Sequence, residues 1–433
     1  MPVLQHKNSV MLETALWRMA RARAETDQLF ALVKPEALYQ RPLPERHRIN
    51  FYLGHLEAFD WNLLRPHLTG AQVFDKSLDQ LFAFGIDPID GQLPADQPSD
   101  WPSIEQTYAH RDRIRQQLEQ ALTGQSAPEL LLNVAIEHRL MHAETLAYIL
   151  HQLPYGEKGR QAQTPIAGES QLHSRMIEIP AGSVTLGLNR DKAFGWDNEF
   201  EAHTVHVDAF ALDQHKITNG QYLAFVQADG YQEKSLWSTA ACGWKQLRGL
   251  QHPVFWKRAG RAGMDWLYRG MFEEIPLPLL APVYVSHAEA SAYARWAGKR
   301  LPTEAEWQRA AYAEGDRAFP WGNEAPDARH GYFDLARWDA YAVNAAPGNR
   351  SPFGVEGLLA NGWEWTSSIF APFPGFQAFP FYKGYSADFF DGFHYVMKGG
   401  SPRTEACMLR RSFRNWFQPH YEFVYAGFRL ASL

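Results

Sequence analysis

The chain has 433 residues, 45% apolar and 21% charged, with a formal net charge of −6 and only two cysteines, Cys242 and Cys407. It is too long for a single hydrophobic core, so two or three domains are expected, and nucleic acid is excluded as the main partner because such binding leaves a basic footprint. No apolar run approaches about 18 residues, no secretory leader is read at the start, and no disulfide framework is expected; the reading is a cytoplasmic protein without a membrane span.

Residues 1–155 read as helical. Ser9 precedes an apolar-periodic run over residues 10–33, with Leu12, Leu16, Met19 and Ala20 on one face. Beyond Pro42 and Pro44 a second helix is predicted over residues 50–68, stopping at Gly70. Residues 71–100 hold scattered Gly and Pro and read as loop with short helical turns. Ser103 and Gln106 have capping-box spacing for a third helix that ends near Gly124. A fourth starts from Ser126 as its predicted N-cap and stops at Pro154. Four such helices form a bundle, whose interior can bind metals through facing side chains.

The fourth helix carries Glu137-His138-Arg139-Leu140-Met141-His142-Ala143-Glu144. Two imidazoles four residues apart on a helix are neighbours, with Cβ atoms roughly 6 Å apart, close enough to grip one ion. A third ligand should come from another helix. His55 lies on an apolar stripe with Tyr52, Leu56 and Phe59, where an imidazole without a polar partner is costly, and Gly54 beside it would let another helix approach. Glu57 or Asp60 is the rival third ligand, giving two histidines and one carboxylate. Glu144 is roughly 200° round the helix from His142 and reads as a partner outside the ligand set. Three neutral imidazoles would leave up to three positions on an octahedral iron(II), whereas zinc would settle for a tetrahedral site; ligand types alone do not separate the two.

Residues 156–175 are polar with small residues and read as a linker. From residue 176 the texture changes to strand-like segments at 183–188 and 204–212, with dense Gly, Pro and Trp and helices predicted at 219–228, 288–297 and 303–312. Residues 176–433 read as a loop-rich α+β domain.

In this region Arg300-Leu301-Pro302-Thr303-Glu304-Ala305-Glu306-Trp307, Pro320-Trp321-Gly322-Asn323, Asn361-Gly362-Trp363-Glu364-Trp365-Thr366, Lys398-Gly399-Gly400-Ser401 and Ala426-Gly427-Phe428-Arg429 follow one another in order. As a set they resemble the formylglycine-generating-enzyme (sulfatase-modifying-factor) fold, a C-type-lectin-like scaffold. The N-terminal part resembles the DinB-like helical bundle. The fusion in this order is similar to the ergothioneine sulfoxide synthases and their ovothiol and selenoneine relatives.

That resemblance implies an O2-dependent non-haem iron(II) enzyme that attaches sulfur or selenium to the imidazole carbon of hercynine, the trimethylated betaine of histidine. By position it makes His55, His138 and His142 the iron ligands. It places hercynine at Ser412-Phe413-Arg414-Asn415-Trp416: a quaternary ammonium is held by an aromatic face, for which Trp416 serves, and Asn415 can reach the carboxylate. Phe417 stands where some members carry an acid for the amine of γ-glutamylcysteine, and residues 82–88 and Trp101 differ from a double-arginine donor site. These departures weaken the case for γ-glutamylcysteine and make room beside it for cysteine or a selenosugar as donor. A tyrosine near the metal is implied, with Tyr382 and Tyr385 as candidates. The cysteine pair of formylglycine-generating enzymes is missing; Cys407 alone occurs there and reads as a small buried residue. The competing readings are a zinc-dependent thiol transferase and a non-catalytic sugar-binding protein.

Overall fold

The computed structural model describes residues 2–83, 95–123, 127–162, 172, 175–260 and 265–432. The chain divides into two compact units, Met1–Gln161 and Ala162–Leu433. Among the described residues, no helix is long and apolar enough to cross a membrane.

The first unit contains α1 (Pro2–Ala31), α2 (Ile49–Leu64), the short α3 (Lys76–Leu81), α4 (Ile104–Thr123) and α5 (Glu129–Gln152). Helix α1 packs on α5, and α2 packs on both α4 and α5. Ser9 lies inside α1 rather than capping it. Helix α2 stops at Leu64 and gives way to a 3-10 turn at Arg65–His67, where Pro66 cannot donate to the preceding turn. The capping box at α4 forms as the spacing predicts: the Ser103 amide donates to Gln106 Oε1 at 2.9 Å and the Gln106 amide to Ser103 Oγ at 3.2 Å. At α5 the N-cap position is Pro128, which offers no side-chain acceptor; the predicted cap, Ser126, lies outside the described residues.

Helices α2 and α5 are buried almost all round, as central helices are. Their polar residues therefore have to be answered inside the bundle. On one side Arg139 of α5 contacts Glu57 at 2.9 Å and Asp60 at 2.7 Å, and Arg115 of α4 bridges Glu57 and Asp27 of α1, each at 2.7 Å. Burial opposes ionisation of Glu57, but Arg139, Arg23 and Arg115 hold its carboxyl below the usual range. All four long helices contribute a charge to this cluster.

The chain stays bound to the bundle beyond α5. Lys158 is buried, its ammonium donates to the carbonyls of Leu150 (2.7 Å) and His151 (3.1 Å), and its backbone pairs with Val33. The Gly159 amide donates to Leu32 at 2.7 Å. The first residues of the stretch read as linker are thus part of the first unit, because a buried ammonium needs these carbonyls. Residues 163–171, 173 and 174 of that stretch lie outside the described residues.

The second unit runs β1 (Met176–Ile179), β2 (Gly182–Leu186), β3 (His203–Val207), β4 (Phe210–Asp213), α6 (Asn219–Gln227), α7 (Thr239–Arg248), β5 (Trp256–Ala259), β6 (Asp265–Arg269), β7 (Glu274–Pro276), α8 (His287–Trp296) and α9 (Glu304–Tyr312). It continues with β8 (Trp363–Ile369), β9 (Tyr395–Lys398), β10 (Asn415–Phe417), β11 (Ala426–Gly427) and β12 (Ala431–Ser432). The sheets have orders β1-β4-β12, β10-β9-β8-β11, β2-β3 and β5-β6-β7, and among the described strands β11 alone pairs in parallel, with β8. The predicted strand at 204–212 is two strands, and α7, which is not among the predicted helices, is a surface helix in which only Ala241 is buried.

Three of the five quoted motifs meet at Glu364, through Trp307, Glu364 itself and Arg429. Glu364 receives Arg429 Nε at 2.6 Å and Nη2 at 2.8 Å, the Trp307 indole at 2.9 Å and Lys216 at 3.0 Å. Burial alone would raise the Glu364 carboxyl; Arg429 and Lys216 hold it below its ordinary value. Trp307 also belongs to the apolar core of α9, β2 and β4 with Val184, Leu212 and Leu358. The motif residues therefore build the scaffold.

Candidate metal centre

His55 sits mid-way along α2, and His138 and His142 sit one turn apart on α5. All three are buried, and one ring nitrogen from each lies within 4.8 Å of the others. Ring centroids are 5.3 Å apart for His55–His138, 5.1 Å for His55–His142 and 4.5 Å for His138–His142. One ion bonded to each nitrogen at roughly 2.1 Å would draw such a trio in by small rotations.

The rings are held from outside. Phe51 stacks on His55 at 4.8 Å, Phe59 stacks on His138 at 3.4 Å, and Tyr52 lies 5.8 Å from His142. His55 Nδ1 is 2.7 Å from the Phe82 carbonyl, which cannot donate; the proton therefore sits on Nδ1 and the Nε2 lone pair is left toward the trio. His55 Nε2 and His142 Nδ1 are buried and meet no hydrogen-bond partner among the described residues. An unanswered buried polar atom is uncommon, and a metal answers it.

Electrostatics keep the rings neutral. Burial pushes His55 down to about 4, although the Phe82 carbonyl opposes this. Burial and then the neighbouring imidazoles push His138 well below the ordinary value, and His142 behaves likewise, with Arg46 adding to the effect. Neutral rings present lone pairs at neutral pH, so the donor set fits a divalent transition metal of the kind imidazole binds.

The rival carboxylates do not join. Glu57 and Asp60 are spent on Arg139, Arg115 and Arg23, on the other side of α2 from His55. Glu144 is buried outside the trio. Gly54 accommodates not a helix but Phe82, at the end of α3; sequence reasoning missed this residue because a backbone carbonyl has no sequence signature.

In the second unit Trp416, Tyr385 and Tyr382 form one aromatic cluster. Trp416 stacks on Phe370 at 4.1 Å and meets Tyr385 edge-on at 5.5 Å; Tyr385 is buried on Trp196 at 4.0 Å, and half-buried Tyr382 stands 5.4 Å from Tyr385. Asn415 and Phe417 alternate with Trp416 along β10, so they lie on its opposite face. Phe417 stacks there on Tyr421 at 4.8 Å, and Asn415 Oδ1 accepts the Trp416 amide at 2.9 Å. The structure therefore groups Trp416 with the tyrosines and not with Phe417. Of residues 82–88, Phe82 and Ala83 are described and the remaining five lie outside the described residues. Cys407 is exposed rather than buried: in the turn Ala406–Met408 it is Met408 that points inward.

Fold and site together define a two-unit protein in which a histidine-lined helical bundle precedes a strand-rich, sulfatase-modifying-factor-like scaffold. Residues 162–432 match the sulfatase-modifying factor enzyme 1-like domain and residues 18–151 match the DinB superfamily. The chain is 40% identical to the hercynine oxygenase of Mycobacterium tuberculosis over 56% of either chain. It is 35% identical to the hercynine oxygenase of Mycolicibacterium thermoresistibile over 71% of this chain and 70% of that one. It is 26% identical to ergothioneine biosynthesis protein 1 of Neurospora crassa over 92% of this chain and 55% of that protein. The match thus spans little more than half the length of the first and last of these relatives. The chain belongs to the ergothioneine synthase family, in which both domain types are joined.

Proposed function

We propose that this chain is an O2-dependent iron(II) enzyme that forms a C–S or C–Se bond at the imidazole carbon of hercynine lying between its two ring nitrogens. The observation that carries this reading is the buried trio of His55, His138 and His142, with donor nitrogens within 4.8 Å and two of those rings holding unanswered nitrogens. Relatives named hercynine oxygenase support the substrate. Iron(II) held by these three rings supplies one-electron chemistry with O2 and coordination positions left open for reactants.

The chain's own residues do the rest. Phe51 and Phe59 wall the rings and exclude water from their outer faces. Trp416 offers the trimethylammonium group an aromatic face, whereas Asn415, its Oδ1 turned to the Trp416 amide, lies on the other face of β10 and is not placed beside it. Tyr382 is the less enclosed phenol of the pair and so the better candidate for a proton donor, while Tyr385, fixed on Trp196, holds the Trp416 edge. Phe417 offers no charge to the amine of a γ-glutamylcysteine donor, which favours cysteine or a selenosugar.

The test is incubation of purified protein with Fe(II), hercynine and O2, adding cysteine, γ-glutamylcysteine or a selenosugar in turn, with products read by mass. A hercynine adduct of one donor, dependent on both Fe(II) and O2, is expected. Turnover with zinc under anaerobic conditions would replace this reading by a thiol transferase, and sugar binding indifferent to the histidines by a non-catalytic lectin-like protein.

A further inference from the structure

We propose that Gly54 and Phe82 are positioning residues for His55, a role that rests on the metal-centre reading above. Gly54 lies in the interior of α2, where glycine weakens a helix relative to alanine, so its presence there asks for a reason. A Cβ at position 54 would fall 2.4 Å from Phe82 Cε1 and 2.5 Å from both Cδ1 and Cγ. No Cβ tolerates such contacts. The Phe82 ring cannot step aside, because it is fully buried and enclosed by His110 and Trp101, each with its ring centroid 6.1 Å away. Since Cγ itself is in the way, turning the ring about Cβ–Cγ gives no relief; the Phe82 side chain has to leave its χ1 well inside a packed interior or the Phe82 backbone has to shift.

That backbone carries the one carbonyl that receives His55 Nδ1–H, at 2.7 Å. The close seat on Gly54 and the hydrogen bond to the very next residue are therefore one device. The ring docks where a side chain is missing, and docking delivers the carbonyl that fixes the imidazole's tautomer and its rotation. The turn is itself held: the Phe82 amide donates to Leu78 O at 3.0 Å, and Asp75 Oδ1 caps α3 through the Leu78 amide at 3.0 Å. Among the described residues, no other hydrogen bond orients the His55 ring.

Two measurements on the full chain test this. Long-range ¹H–¹⁵N spectra of the metal-free wild type should show His55 as the Nδ1–H tautomer; an Nε2–H tautomer overturns the proposal, and no variant is needed. In cobalt(II) titrations followed by absorption, Gly54→Ala should bind about 10–100-fold more weakly at unchanged helix content, the usual cost of losing a ligand's outer partner. Adding Phe82→Ala to Gly54→Ala should restore binding to within about threefold of Phe82→Ala alone, whereas Phe82→Leu, which keeps Cγ, should not. Wild-type affinity in Gly54→Ala overturns the proposal. A wild type that binds no cobalt(II) sinks the metal-centre reading instead, and the tautomer still decides this one.

Discussion

Glu364 in the second unit and His55 in the first are both almost wholly removed from water, and they differ in who answers their polar atoms. Glu364 is met on both oxygens by Arg429 and further by Trp307 and Lys216. His55 is met at Nδ1 by a carbonyl and at Nε2 by nothing among the described residues. A buried polar group that its own fold satisfies is part of the scaffold, and one left open toward two similar neighbours is a receptor. The quoted motifs of the second unit are the louder sequence signal, yet they serve packing; the quieter histidine pattern is the one with buried nitrogens left open, as the proposed metal centre requires.

The comparison breaks first at the ligands. His138→Ala should reduce bound iron from about one per chain to background and abolish turnover, with far-UV circular dichroism unchanged; retained iron would make the trio another scaffold element. Next, Arg429→Met should destabilise the second unit by about 3–5 kcal/mol, since it strands the Glu364 charge in the interior, and denaturant midpoints would show it.

A third contrast lies in pH. Glu289 begins α8 in a capping box, and burial together with Glu422 pushes its carboxyl up to about 7 from 4.5. With the folded value raised, its stabilising contribution is complete below about 4.5 and is lost as pH rises through about 7, on the order of 3 kcal/mol. Glu289→Gln should flatten that slope in urea titrations of the second unit. His55 has the opposite sign: its folded value is depressed to about 4, so its contribution holds above about 6.5 and is lost as pH falls through about 4. Smallest of all, His142→Leu in metal-free protein should be neutral or stabilising by about 1 kcal/mol, because it removes an unanswered buried nitrogen; a large loss of thermal stability would show that the ring is structural.

The histidine trio was legible because α5 places residues four apart side by side and because His55 interrupts an otherwise apolar stripe. The bundle was legible from its periodicity and caps, as at Ser103 and Gln106. What escaped has physical reasons. The Phe82 carbonyl belongs to the backbone, which every residue shares. Helix α7 is only ten residues long and carries Gly243 in its interior, so its short apolar stripe is a weak signal. Asn415, Trp416 and Phe417 are adjacent in sequence and read as one lining, but a strand sends neighbours to opposite sides. Cys407 lies in an irregular turn where no period says which way a side chain faces.

The ionic cluster shared by the four long helices has one more consequence. Arg139 directly follows His138, and Glu57 follows His55 by two places, so the charges and the imidazoles are keyed to the same alignment of α2 against α5. A slip of α5 by one turn, about 5.4 Å, would unpair the guanidinium and scatter the rings in a single movement. The bundle therefore checks its own assembly: a misthreaded copy is marked by stranded charge before any ion arrives.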